Sequence, residues 1–457
     1  MSGQNDKPRI VELAERITEA VGRLQGIFVE KGLQMPSFDE DASSEMPLEA
    51  FDVRDAVLDA STEIYDIFLD PLTLMLKRGS YNNMVSLQAI SRFKIAPMVP
   101  AQGQTTFAEI SKQTGVQEQT IQRLLRHAIT MRVFCEPQPG QVAHTQASKA
   151  LADPSVAKWL SSGAEDFWPA AVRIVDAIEK WGDSQEPNHT GFALANNTDG
   201  TVYDVVSSDP ARAARFAGCM NAHTSTSAHS LSYILDYYDW AALGQARVVD
   251  LGGARGHVSI ALASRFPNLT LCPLRVLVAL SFNLSLRFGD RSFIDLLPRY
   301  VFLPCDTLVV QDMEKVVEGA AAELPETLQG RVQFVAHDLF SRQEVEADVY
   351  YLRWILHNWS NKYCAIILQN LIPALKPGTR ILIHESCMPE PGETALWREQ
   401  DLRMMDLNMG AGFNAQERTV SDWKGILHNA DARFILRDVI QPKGSALALV
   451  DVRWTGE

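Results

Sequence analysis

After Gln245 the chain alternates short apolar strand-like runs with helical ones, and this feature limits its second half to few folds. The runs are ARVVDLGG, VSIALASRF, RVQFVA, ADVYYLRW, NKYCAIILQNLIPAL and TRILIHES. Strands that alternate with helices predict a parallel sheet covered by helices on both faces. The end of the chain differs. FILRDVI, a turn at Pro442, Lys443 and Gly444, and LALVDVRW read as a hairpin, so the last strands are expected to be antiparallel.

The first half is helical. Residues 9 to 32 place Ile10, Leu13, Ile17, Val21, Leu24 and Phe28 at steps of three and four, the stripe of an amphipathic helix. Met35 to Pro47 carries Asp39, Glu40, Asp41, Ser43, Ser44 and Glu45 and reads as an exposed linker, with helix resuming over 48 to 77. Between Thr106 and Thr145 come a helix, a tight turn at Gly115, a second helix and two short strands expected around Pro137, Pro139 and Gly140, the outline of a winged helix-turn-helix. From 106 to 150 its five Lys and Arg face three acids, too balanced for a phosphate-binding surface, so it predicts a packing or dimerisation module rather than a DNA reader. From 150 to 240 the helices are rich in aromatic residues, which serve a core or line a pocket for a flat ligand.

With 46% hydrophobic and 21% charged residues, the 457-residue chain is ordinary globular protein of two or three domains. Its net charge of −14 argues against a nucleic acid as main partner. The six cysteines contain no CxxC pair, so no zinc site or disulfide framework is readable, and a reducing, cytoplasmic setting fits. No secretory signal is recognisable at MSGQNDKPRI. The most suspicious apolar run, Val276 to Leu286, has no charge but covers 11 residues, which is short of a membrane span.

In VVDLGGARGHVSIAL a buried strand delivers Asp250, and the chain turns through Gly252, Gly253 and Gly256 into a helix. Glycines there let a ligand approach the backbone closely. The loop lacks the GK[ST] of a phosphate-binding loop, and its spacing is not a full GxGxxG. An acid at the strand end suits a ligand with a positive amino group.

With YLRWILHNWSNKYC at 351 to 364, HESCMPEPG at 384 to 392 and NAQERT at 414 to 419, the sequence resembles the class I S-adenosylmethionine-dependent O-methyltransferases of the plant caffeate and flavonoid type, in their fungal secondary-metabolism (sterigmatocystin-type) branch. The resemblance spans about residues 60 to 457. It implies a Rossmann-like α/β methyltransferase domain over 241–457, a winged-helix dimerisation domain over 48–160, a helical connector with substrate-pocket residues over 161–240, and an N-terminal helix with its acidic linker over 1–47. It implies S-adenosylmethionine as cofactor, no metal, a small aromatic substrate, a homodimer, and neither nucleic acid nor membrane as partner. The reaction implied is methylation of a phenolic or enolic hydroxyl, of a polyketide or similar metabolite. Alternatives are a C- or N-methyltransferase on the same fold and a catalytically silent relative serving as scaffold or regulator.

Methyl transfer from a sulfonium needs the reactants aligned and the acceptor's proton removed. His357, just after a strand, is placed for the second task, and a histidine works as a base when a carboxylate orients its other ring nitrogen. Glu385, at the end of the next strand, and Glu417, before the next helix, are the candidates. By resemblance these three are the base and its acidic supports. The resemblance further implies cofactor contacts at Asp312, Asp338, Leu339 and Arg353, and substrate contacts at Phe216, Met220, Trp354, Met405 and Asn408. Three positions depart from the family's habit: Asn358 stands where an acid commonly follows the histidine, Ala254 replaces the usual third glycine of the first loop, and Arg353 replaces a lysine.

Asp312 lies 62 residues after Asp250, whereas a second-strand acid is expected about 20 residues after the glycine loop. Removing Cys272 to Leu308 shortens the separation to 25 and joins Leu271 to Val309 in one strand-like run. These 37 residues hold four Arg and three Asp but no Lys, Glu or Gln, with 21 hydrophobic residues, a composition closer to translated intron than to a surface loop, with a genuine insertion as the alternative.

Overall fold

A computed structural model describes residues 7–267, 269 and 308–456; the anomalous segment lies outside the described residues except for Leu308. The chain divides into two compact units, one made of 1–227 and 389–414, the other of 228–388 and 415–457.

In the first unit the helix Arg9–Lys31 buries Leu13, Ala20, Leu24 and Phe28, and Gly32 ends it at φ +66; of the stripe expected from the sequence Leu13, Leu24 and Phe28 are buried and Ile17 is half-buried, whereas Ile10 and Val21 are exposed. The helix Phe51–Ile67 packs with it. The two helices of the winged module are Phe107–Thr114, capped by the Thr106 hydroxyl, and Glu118–Thr130. Strand pairing here differs from expectation. Strand β2 (Gln141–Ala143) pairs antiparallel with β1 (Gln104–Thr106), which precedes both helices, and Cys135 contributes only an isolated bridge to Ala143. The proline-rich turn therefore closes no true hairpin. The helix Leu396–Phe413 has no cap of its own; the Asp59 carboxylate accepts from the Leu396 and Trp397 backbone N–H groups (2.9 and 3.0 Å), tying this late segment to the first unit.

The second unit is a seven-stranded sheet in the order β5-β4-β3-β6-β7-β9-β8. Its strands are β3 (Val248–Leu251), β4 (Leu308–Asp312), β5 (Val332–Ala336), β6 (Val349–Arg353), β7 (Arg380–Glu385), β8 (Phe434–Ile440) and β9 (Ala448–Trp454). The first five pair in parallel, and β9 runs antiparallel to both β7 and β8, as the terminal hairpin predicted. Leu308, the last residue of the anomalous segment, opens β4 and is fully buried opposite Val332.

The apolar runs are nearly continuous because both faces are covered. Val249, Leu251, Tyr350, Leu352, Ile381 and Ile383 pack into one core, while Val248, Val310, Val349, Tyr351 and Leu382 pack into the other. Strand alternation sorts neighbours to opposite faces. All five parallel strands end on one edge of the sheet. That edge carries Gly252, Asp312, Asp338, the turn with His357, and Glu385.

Candidate functional site

The turn after β3 is built by close approach. Gly252 sits at φ +69 and donates its N–H to the Gln311 carbonyl (2.7 Å); a Cβ there would lie 2.2 Å from Ile355 Cδ1. A Cβ on Gly253 would lie 2.6 Å from Asp250 Cγ. Gly256, at φ +76, starts the helix His257–Arg265. Ala254 occupies the left-handed region too, at φ +48, so the chain bears at this position a strain that glycine would not. Its N–H donates to Asp312 Oδ2 (2.9 Å), which links the glycine loop to the end of β4. Arg255 reinforces that link through the Val316 and Glu318 carbonyls and the Glu323 carboxylate.

Asp250 is buried, and its Oδ2 accepts from the Ser259 hydroxyl at 2.8 Å. Burial pushes its carboxyl up to about 6, against the opposing pull of Ser259 and Arg353. Asp312 is also raised by burial, although the Met313 and Ala254 N–H groups favour its charged form. Each Asp312 oxygen already accepts one backbone N–H and keeps a further lone pair. Farther along the edge, Asp338 Oδ1 accepts from the Phe340 N–H (3.0 Å), and Leu339 packs against the core. Arg353 reaches the His229 carbonyl (2.7 Å), and its guanidinium lies 4.7 Å over the Trp354 ring.

His357 rides a one-turn helix, Leu356–Asn358. Its Nδ1 is 2.9 Å from Glu417 Oε1, leaving Nε2 for other work. Burial disfavours the charged imidazole, but the Glu417 hydrogen bond and the charges of Glu417 and Glu385 outweigh it, so His357 holds its proton above the ordinary value of 6.5. The two acids act differently. Glu417 meets the ring; Glu385 Oε1 instead accepts the backbone N–H groups of Ile355 (2.8 Å) and Leu356 (2.6 Å), supporting the turn that carries the ring. Burial raises the Glu385 carboxyl.

Asn358 donates its side-chain amide to the Trp354 carbonyl (2.8 Å), a bond that the acid common in the family could not donate when ionised. Trp354 itself lies at φ +55, rare for a bulky residue, with its ring edge-on to His229.

Of the expected substrate residues, Trp354 lies in the second unit. Phe216 and Met220 share the helix Pro210–Thr224 of the first unit, where Met405 and Asn408 sit one turn apart on Leu396–Phe413. The sequence pattern does not single out Ser259, His229 or Arg418. Arg418 lies inside the quoted NAQERT motif, and a charged residue beside Glu417 was the available signal. Among the described residues no cluster of His, Cys, Asp and Glu could hold a metal ion, and no helix is long and apolar enough to cross a membrane.

A mostly parallel α/β sheet whose carboxyl edge presents a glycine turn, strand-end acids and a carboxylate-bound histidine defines a Rossmann-like unit with its ligand site at that edge. Comparison narrows the class. A family model for the O-methyltransferase domain matches residues 300–433. The chain is 41% identical over 454 residues to O-methyltransferase PaMT of Phomopsis amygdali, covering 99% of this chain and 98% of that protein. It is 32% identical over 458 residues to a chlorophenol O-methyltransferase of Trichoderma longibrachiatum, covering 98% and 90%. Among solved structures, OxaC superposes with a TM-score of 0.74 at 19% identity, covering 97% of this chain and 98% of that one. LepI complexed with SAM gives 0.68 at 21%, covering 97% and 99%. The chain belongs to the S-adenosylmethionine-dependent O-methyltransferases.

Proposed function

We propose that the protein methylates a phenolic or enolic hydroxyl of an aromatic secondary metabolite, with His357 as the general base. The observation that carries this reading is the 2.9 Å contact between His357 Nδ1 and Glu417, which fixes the ring and leaves Nε2 as the proton acceptor. A relative whose name makes it a chlorophenol O-methyltransferase supports a phenolic acceptor.

S-adenosylmethionine, when bound, supplies a methyl group already activated on a sulfonium. The residues at the sheet edge fit such a ligand. Asp250 is a buried carboxylate suited to an amino group, Gly252 and Gly253 leave no room for a Cβ, and Asp312 retains lone pairs for a pair of hydroxyls. Asp338, Leu339 and Arg353 complete the cofactor contacts in this reading. Phe216, Met220, Trp354, Met405 and Asn408 hold the aromatic substrate.

In the same reading the protein is a cytoplasmic homodimer with residues 48–160 as the dimerisation domain. Free thiols at Cys135, Cys219, Cys364 and Cys387 support a reducing setting. Incubation with labelled S-adenosylmethionine and a panel of phenols tests the activity; transfer to no phenol in the panel, by a protein that binds S-adenosylhomocysteine, counts against it.

A further inference from the structure

Arg418 is fully buried, and all five of its N–H donors end on neutral oxygens. Nη1 donates to the carbonyls of Leu356 (2.9 Å) and Gln416 (3.3 Å). Nη2 donates to the Trp359 carbonyl (2.6 Å) and Asn361 Oδ1 (3.1 Å), and Nε donates to the same Oδ1 (3.2 Å). The guanidinium carbon lies 5.4 Å from the centre of the Trp423 ring. Its backbone is fixed as well: the Arg418 carbonyl accepts from the Met388 N–H (2.8 Å), and Arg418 bridges Cys387 just past β7. One residue thus joins the three segments that carry His357, Glu385 and Glu417, and it grips the His357 turn on both sides, at Leu356 and at Trp359.

Burying a cation is strongly unfavourable unless its surroundings compensate. Carbonyls can be gripped by neutral amides, so a turn clamp alone does not call for a charge. The groups that face His357 supply a reason for one. Glu417 precedes the helix Val420–Ala430, and Glu385 ends β7; both hold a proton on the imidazole. The helix Asn361–Leu371 adds Cys364, whose thiol contacts the Leu356 carbonyl and is pushed up to about 12 by burial, so it stays neutral. Arg418 is the fixed positive charge among these groups, and it opposes the two carboxylates.

We infer that Arg418 is a positioning residue for His357, which clamps the Leu356–Trp359 turn and offsets Glu385 and Glu417 so that the imidazole can be neutral when it must accept a proton. The inference rests on His357 being the base. A base protonated too firmly is unavailable at neutral pH.

The test compares R418M, R418K and N361A with H357A. Histidine-selective labelling gives the His357 imidazole titration by NMR, its signal identified by loss in H357A, and turnover is followed with the best acceptor of the phenol panel. R418M is expected to titrate His357 at higher pH and lower kcat about tenfold or more with KM for S-adenosylmethionine within about twofold. R418K keeps the charge and loses the fork, so the titration stays near that of the unaltered protein while kcat falls. N361A removes the acceptor of two N–H groups and keeps the charge, with the same expectation. An unmoved titration in folded R418M overturns the inference whatever kcat does, and so does an unmoved kcat. Should R418M fail to fold, unchanged kcat in both R418K and N361A overturns it. Full turnover in H357A overturns the base reading itself; loss in H357A with R418M unaffected overturns the role of Arg418 alone.

Discussion

His357 Nδ1 and Glu417 Oε1 lie 2.9 Å apart although 60 residues separate them in the chain, and the carboxylate raises the imidazole's proton affinity while fixing its tautomer. H357A is expected to lower kcat about a hundredfold or more, with affinity for S-adenosylhomocysteine unchanged. E417Q retains an acceptor for Nδ1–H but loses the charge, so the acid limb of the rate profile moves to lower pH. That direction is opposite to the shift expected for R418M. A pH series of kcat/KM on both variants checks the signs.

Asp250 gives a second pH dependence. Burial lifts its carboxyl to about 6, so the group is ionised well above that pH and largely protonated about one unit below it. An amino group of a bound ligand needs the ionised acid as acceptor. Affinity for S-adenosylhomocysteine is therefore expected to fall by up to about tenfold per unit below pH ~6, measured by calorimetric titration. In D250N this dependence disappears along with most of the affinity. Constant affinity across the range in the unaltered protein removes Asp250 from the cofactor site.

The parallel strands β3, β6 and β7 are readable from the sequence because burial on both faces writes nearly unbroken apolar runs, as in Val248–Leu251 and Val349–Leu352, whereas Leu308, the buried first residue of β4, falls in the segment that the sequence reading sets apart. The winged strands are not readable. β1 is Gln104-Thr105-Thr106, exposed to half-buried, with no apolar signal, and its partner lies beyond two helices. His357 and its acids came from motif resemblance, since no periodicity joins positions 357 and 417. What the sequence hid was the division of labour: Glu385 on the backbone of the turn, Glu417 on the ring. Nor does a bulky residue announce a left-handed backbone, as at Trp354.

Self-association is expected from the exposed apolar side chains of the first unit, where Phe68, Leu72, Met75 and Leu76 are each more than 70% exposed. Clusters of this kind on a monomer mark association surfaces. Light scattering at micromolar concentration is expected to give a dimer, and L72E with L76E is expected to shift it toward monomer. A monodisperse, well-folded monomer in the unaltered protein counts against the dimer.

Ala254 and Gly252 make an opposed pair in one turn. Both have positive φ, +48 and +69, but Ala254 already carries a Cβ at its own expense, whereas a Cβ on Gly252 would come within 2.2 Å of Ile355 Cδ1. A left-handed alanine costs roughly 1–2 kcal/mol. Replacing it by glycine releases that strain but loosens the unfolded chain by about 0.4–1 kcal/mol, so A254G is expected to be stabilising by several tenths of a kcal/mol. G252A adds the same strain and also pushes on the turn before His357, because Ile355 donates its N–H to Glu385. It is expected to cost about 2 kcal/mol or more and to lower kcat as well as cofactor affinity. Denaturant melts of the two variants with calorimetric titration decide it: a destabilised A254G would mean that the alanine methyl packs favourably enough to offset its backbone strain.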